Sequence, residues 1–393
     1  MLGWAQEHGP YSLDDGQTQF AKNEYSWNNE ANVFYVESPA GVGFSICPDK
    51  SECDFDDNNS ADDNLQAVLA ILQKFPEINQ NDLYIAGESY AGIYVPKLVD
   101  RIDKYLSENA ATNIYKPNLK GFMVGNGVTD WKFDTTPAFL QMSYWQGLYD
   151  DATHKQMLDN CNFTDLNFNG GNLKCEAAVY KFYALSSNMN IYDLFGKCYS
   201  STGAALTLEE SDKKFLMDDG TSVIRKEGFT AADYTPWLFQ NFNSKNLKEV
   251  PPCVYATPIL NYLNSDSVRA SLNIPADAPA WDLCANINYN NALAGSLDIW
   301  ANMKGKYRML KYSGDTDGAV PTFGTRQWIN ELNWKVTSAL QPFTVDGQTA
   351  GFVETREGGF TFVSIHGAGH MAPQWKRPQT YYAIFNWLNN KQI

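Results

Sequence analysis

The sequence predicts an α/β fold: a central, mostly parallel sheet flanked by helices, with an insertion partway along the chain. Two observations carry this. Short apolar runs of strand length alternate with segments of helical periodicity in both the first and last thirds of the 393 residues, the order expected of a doubly wound sheet. That rhythm is lost between about residues 134 and 250, a stretch rich in asparagine, aspartate and aromatic residues. The expected division is therefore a core from 1–134 and 251–393, with 135–250 as an insertion or cap. A third observation marks the centre: residues 82–94, DLYIAGESYAGIY, read as a buried strand, a sharp turn at Ser89 and the start of a helix.

Taken in order, ANVFYV over 31–36 predicts a buried strand, ended by the turn-forming run SPAGVGFS. Leu65, Val68, Leu69 and Leu72 fall at helical spacing within 61–74, and Pro76 closes that helix. The apolar run from Leu83 to Ala86 suits a strand in the middle of a parallel sheet. Val95, Leu98, Val99 and Ile102 line one face of the helix that follows it, and 119–124 form the next strand, ending at Gly125-Asn126-Gly127. Within the insertion, 137–148 is a helical patch. Beyond it come a helix over 259–272, a strand over 308–312, a helix over 321–332, strands over 349–354 and 360–365, and a terminal helix over 378–388.

Thirty basic against forty-five acidic residues give a net charge of -15, which disfavours a nucleic acid or an anionic membrane as partner. No uninterrupted apolar stretch approaches the roughly 18 residues of a membrane span. The seven cysteines, Cys47, Cys53, Cys161, Cys175, Cys198, Cys253 and Cys284, lack metal-ligand spacing, and the four histidines add none. Disulfides in the secretory pathway follow, in a vacuolar, lysosomal or extracellular protein, and no metal or cofactor is expected. The acceptor triplets at Asn58 and Asn162 agree with N-glycosylation there. No oligomeric state follows from the sequence.

Gly87, Ser89 and Ala91 place small residues on both sides of a nucleophile, which a strained strand-to-helix elbow requires. A serine hydroxyl needs a base, and the base an orienting carboxylate, on loops after later strands in the order serine, acid, histidine. The strand at 308–312 runs into SGDTDG, with Asp315 and Asp317. The strand at 360–365 runs into HGAGHM, where His370 ranks above His366 because His366 lies nearer the strand.

The segments ESPAGVGFS, GESYAGIYVP, GFMVGNGVTD, YSGDTDGAVP and HGAGHMAPQWKRP resemble, in order and spacing, the signature blocks of the serine carboxypeptidase family. The resemblance implies an α/β-hydrolase fold with a helical, disulfide-stapled cap, and a triad of Ser89, His370 and the first aspartate of the turn, Asp315. It implies that the Tyr90 backbone N–H serves the oxyanion hole. It also implies that Glu7 and Glu88 share a proton and bind the free carboxylate of a peptide substrate, which suits acidic pH. Taken alone, Glu7 reads as a surface residue.

Among the cysteines, the family pattern implies Cys161 with Cys175 and Cys198 with Cys253, while Cys47 and Cys53 are near enough to close a local loop. The family's glycine-rich W-x-N-G-G-P-G-C-S-S block, source of a second oxyanion donor and of a partner for Cys284, has no match here. A longer precursor, or a disulfide-linked N-terminal chain or fragment, would supply it. Three functions follow: a carboxypeptidase, a family acyltransferase of the same fold, or an inactive binding homologue.

Overall fold

The computed structural model describes residues 1–49, 53–112, 115–134, 136–162, 172–186, 189–198, 213–216, 222–225, 253–254, 256–285, 287–290 and 294–393. Its centre is a six-stranded sheet. The strands are β1 (Leu83–Glu88), β2 (Leu119–Gly125), β3 (Arg308–Gly314), β4 (Val336–Val345), β5 (Gln348–Arg356) and β6 (Phe360–Ile365), in the spatial order β4-β5-β6-β3-β2-β1. The pairs β1/β2, β2/β3 and β3/β6 are parallel; β5 runs antiparallel to both β6 and β4. Register aligns the carboxyl ends, since Glu88 pairs with Gly125 and Gly314 with Ile365. The loops leaving those ends therefore emerge at one edge, where open α/β sheets bind ligands.

Helices cover both faces. On one side α2 (Ala91–Glu108), α6 (Leu297–Met303) and α7 (Thr322–Glu331) bury Val95, Ile102, Trp300 and Trp328 against Phe122, Met309 and Phe360. The helix α1 (Asp57–Lys74) adds Leu65 and Val68 to that layer, and its start is fixed by Asp56, whose side chain caps Asn58 and Asn59. On the other side α8 (Arg377–Leu388) packs Ala383, Ile384 and Trp387 against Leu310, Tyr312, Val363 and Ile365. Alternate residues of β3 thus feed opposite cores, as the pleat demands.

The cap contributes α3 (Thr136–Trp145), α4 (Asp151–Asn160) and α5 (Leu173–Ser186), which enclose Phe139, Tyr149, Met157 and Phe182. Cys161 and Cys175 tie α4 to α5, and Cys198 pairs with Cys253 where the chain returns to the core. The rest of 199–252 lies outside the described residues apart from two short strands, Lys213–Leu216 and Ser222–Arg225. Phe163 and Thr164 also lie outside them, so the triplet at Asn162 is described only at its asparagine. Among the described residues, no helix is long and apolar enough to cross a membrane.

Three expectations about elements need correction. The 31–36 run forms no strand, and Phe34 and Val36 stand 43% and 50% exposed. With no strand on its outer side among the described residues, β1 is an edge strand instead of an interior one. The 259–272 helix is two short ones, Thr257–Leu263 and Asp266–Ser271, separated where Asn264 bonds to the backbone of Leu260 and Trp281. Asn58 sits in the first turn of α1, its amide oxygen accepting from Lys97.

Candidate active site

Ser89 occupies the turn between β1 and α2 with φ of 66°. That left-handed backbone is costly for a serine and is held from both sides: its N–H donates to Gly125, and its carbonyl accepts from Gly92 and Val128. Small neighbours are obligatory. A Cβ on Gly87 would lie 2.5 Å from the Ala91 Cβ, and one on Gly92 only 1.8 Å from the Val128 carbonyl oxygen. Helix α2 starts directly after Tyr90, so N–H groups at the head of a helix face the serine.

His370 is buried, and its Nδ1 lies 2.7 Å from Oδ2 of Asp317. A carboxylate only accepts, so Nδ1 carries the hydrogen and Nε2 presents its lone pair. The expectation that Asp315 orients His370 is therefore corrected. Asp315 turns the other way, accepting from Gly367 N–H and pairing at 2.7 Å with His366, whose side chain is 61% exposed. Asp317, wholly buried, accepts also from Asn126 Nδ2 (2.8 Å) and from the N–H groups of Ala319 and Val320. Its shell of donors suits a buried anion.

Two contributors were not read from the sequence. Asn126, at φ 36°, donates to Asp317 and accepts from Gly314 N–H, while its neighbours Gly125 and Val128 hold the Ser89 backbone. One turn thus fixes nucleophile and acid together. The other is the cap segment 191–194. The Tyr192 carbonyl accepts from His370 N–H, Ile191 from Gly318 N–H, and Asp193 takes the Thr316 hydroxyl. The signal for Asn126 was the GNG turn at the end of β2; the strap carries no local motif.

Glu7 is buried, only 6% exposed, and hydrogen-bonds to Glu88. The surface reading of Glu7 is corrected. Arg377 from α8 donates to the carbonyls of Gln6 and Glu7, and Asn23 donates to that of Glu7 as well. Burial pushes both carboxyls above the usual range, Glu88 well above it, where the nearby Glu7 charge adds to the effect. Among the described residues Ser89 Oγ, His370 Nε2 and Glu88 Oε2 are buried without hydrogen-bond partners. The other two histidines are structural: His8 stacks on Trp27 at 4.1 Å and His154 on Tyr144 at 3.7 Å.

Cys47 pairs with Cys53, and Cys284 carries no disulfide. Burial, with Asp282 nearby, pushes the Cys284 thiol up to about 12. Such a thiol is a poor nucleophile, so Cys284 offers no rival to Ser89.

A strained serine at a strand-to-helix elbow, with histidine and aspartate on loops of the same sheet edge, defines the class of α/β hydrolases. Within that class the chain belongs to the serine carboxypeptidase family, whose model, described as "Serine carboxypeptidase", matches residues 1–390. Serine carboxypeptidase 1 of Hordeum vulgare is 32% identical over 411 residues, an alignment covering 100% of this chain and 81% of the relative. Lysosomal protective protein of Mus musculus is likewise 32% identical over 411 residues, covering 99% of this chain and 81% of its own. The crystal structure of Kex1(Δ)p, a prohormone-processing carboxypeptidase from Saccharomyces cerevisiae, superposes with a TM-score of 0.69 at 18% identity, covering 99% of this chain and 80% of that one. At that identity the likeness concerns the fold.

Proposed function

We propose that the protein removes single residues from the C-termini of peptides through an acyl-enzyme on Ser89. The observation that supports this best is the set of buried, unpartnered groups, Ser89 Oγ, His370 Nε2 and Glu88 Oε2, since orphaned polar atoms in a folded interior call for a reason. A substrate supplies one. The Ser89 hydroxyl attacks the last peptide carbonyl as Nε2 of His370 takes its proton, and the Tyr90 N–H meets the developing oxyanion. Nε2 then delivers that proton to the leaving amino acid, and water, deprotonated by the same nitrogen, releases the acyl group. Asp317 keeps the imidazole in the tautomer this sequence requires.

The Glu7–Glu88 pair supplies the preference for chain ends. Two buried carboxyls sharing a proton carry an O–H that donates to a terminal carboxylate, where two ionised glutamates would repel it. That proton is retained at acidic pH, the setting we assign to the enzyme, in an acidic compartment of the secretory pathway. N-blocked dipeptides with free and amidated C-termini test the reading in the full-length protein. The free acid should be cleaved about 100-fold faster, with Ser89→Ala abolishing turnover; equal rates on the two substrates would overturn the exopeptidase assignment.

A further inference from the structure

Strand β3 buries a charge beneath the catalytic loops. Lys311 is wholly enclosed, on the face of β3 that carries Met309 and turns toward the apolar layer of α2, α6 and α7. An ammonium in such surroundings is tolerated only when its charge and its donors are answered. Among the described residues its one hydrogen bond goes to a carbonyl, with Nζ 2.7 Å from the oxygen of Gly127. Three carboxyls act on it electrostatically, Asp134 most strongly, then Asp317 and Glu88. Asp134 spends Oδ2 on the N–H groups of Thr129 and Asp130, and its Oδ1 has no hydrogen-bond partner. Lys311 is therefore not locked into a single ion pair. Its head rests under the Gly125-Asn126-Gly127 turn, whose Asn126 grips the same Asp317 oxygen that receives His370.

We propose that Lys311 is a positioning residue for the triad: pinned to the Gly127 carbonyl, its buried ammonium fixes the Gly125-Asn126-Gly127 turn, whose Asn126 holds Asp317 in place as the acceptor of the His370 Nδ1–H. The inference rests on the peptidase reading above and adds to it what holds the turn between nucleophile and acid. Asn126 donates to Asp317 and accepts from Gly314 N–H, and the adjoining Gly125 and Val128 hold the Ser89 backbone, so a shift of this turn reaches acid and nucleophile together. Asp134, Asp317 and Glu88 oppose the desolvation of the Lys311 ammonium. Burial, pulling against those carboxyls, brings its ammonium down to about 8, so the cation persists through the acidic range where the enzyme is expected to work.

The competing role is structural, in which Lys311 exists only to neutralise Asp134, and a double variant separates the two. Lys311→Met/Asp134→Asn removes the lysine together with the carboxyl that acts on it most strongly. If Lys311 serves the triad, this variant melts near wild type, yet its kcat on a free dipeptide falls about 10-fold or more at little-changed KM. The downfield proton resonance of the His370 Nδ1–H, which a purely structural pair would not disturb, shifts as well. Asp134→Asn alone, whose amide oxygen still accepts from Thr129 and Asp130, stays within about threefold of wild type. Wild-type kcat and an unmoved proton resonance in the double variant would overturn the proposal. So would an Asp134→Asn loss as large as that of Lys311→Met, a comparison that holds even where the double variant does not fold. Absence of Ser89-dependent turnover in the wild-type protein would instead remove the peptidase reading, while the proton resonance continues to report on Lys311.

Discussion

At the scale of single residues, two aspartates two positions apart take opposite assignments because the turn sends their side chains to different histidines. Asp317 is enclosed and bonds His370; Asp315 is partly exposed and bonds the exposed His366. An exposed His–Asp pair is worth little, whereas the buried pair decides a tautomer. Asp317→Asn should lower kcat by about 10,000-fold through the wrong imidazole tautomer, and Asp315→Asn should stay within about threefold. Steady-state rates on one free dipeptide compare them, and a large loss from Asp315→Asn alone would reverse the assignment. The sequence supplied both candidates and the histidine. It could not choose between the aspartates, because a tight turn places consecutive polar residues on opposite sides, and only the backbone path decides which enters the protein.

At the scale of elements, legibility followed burial. The strands at 119–125, 308–314 and 360–365 are enclosed and read as apolar runs; β4 is mostly exposed and offers no such run. Its one mark was Asp346-Gly347, both at positive φ, in the tight turn joining it to β5. The reverse error arose at 31–36, where an apolar run promised a strand although no ladder partner is present among the described residues. The elbow was legible because sterics leave so few residue types free there. Gly92 shows how tightly: with the Val128 carbonyl 1.8 Å from any added Cβ, α2 must retreat from the turn that holds Ser89. Gly92→Ala should therefore reduce the unfolding free energy by about 3 kcal/mol and slow labelling of Ser89 by a fluorophosphonate. Urea denaturation beside a labelling time course checks both, and unchanged values would mean that the helix adapts freely.

At the scale of the whole molecule, the chain folds around carboxyls whose pKa burial raises. Glu7 and Glu88 are enclosed by the short π-helix Gly3–His8, the end of β1 and the Arg377 clamp, with pKa values above the ordinary carboxylate range. A carboxyl raised on folding binds its proton more tightly in the native state than in the unfolded chain. It contributes stability that is full below the unfolded value of 4.5 and is lost as pH climbs through the folded value. The melting temperature should accordingly decline as pH rises from about 4.5 toward neutrality. The net charge of -15 at pH 7 adds self-repulsion in the same direction. Glu88→Gln separates the two effects, because it removes the titrating member with the larger shift while altering the total charge by one. Its melting curve should be flatter with pH than that of wild type, and its preference for free over amidated C-termini should persist further toward neutral pH, since an amide donates without needing a proton. Parallel melting curves for the two proteins would assign the decline to overall charge and take the proton out of the Glu7–Glu88 pair.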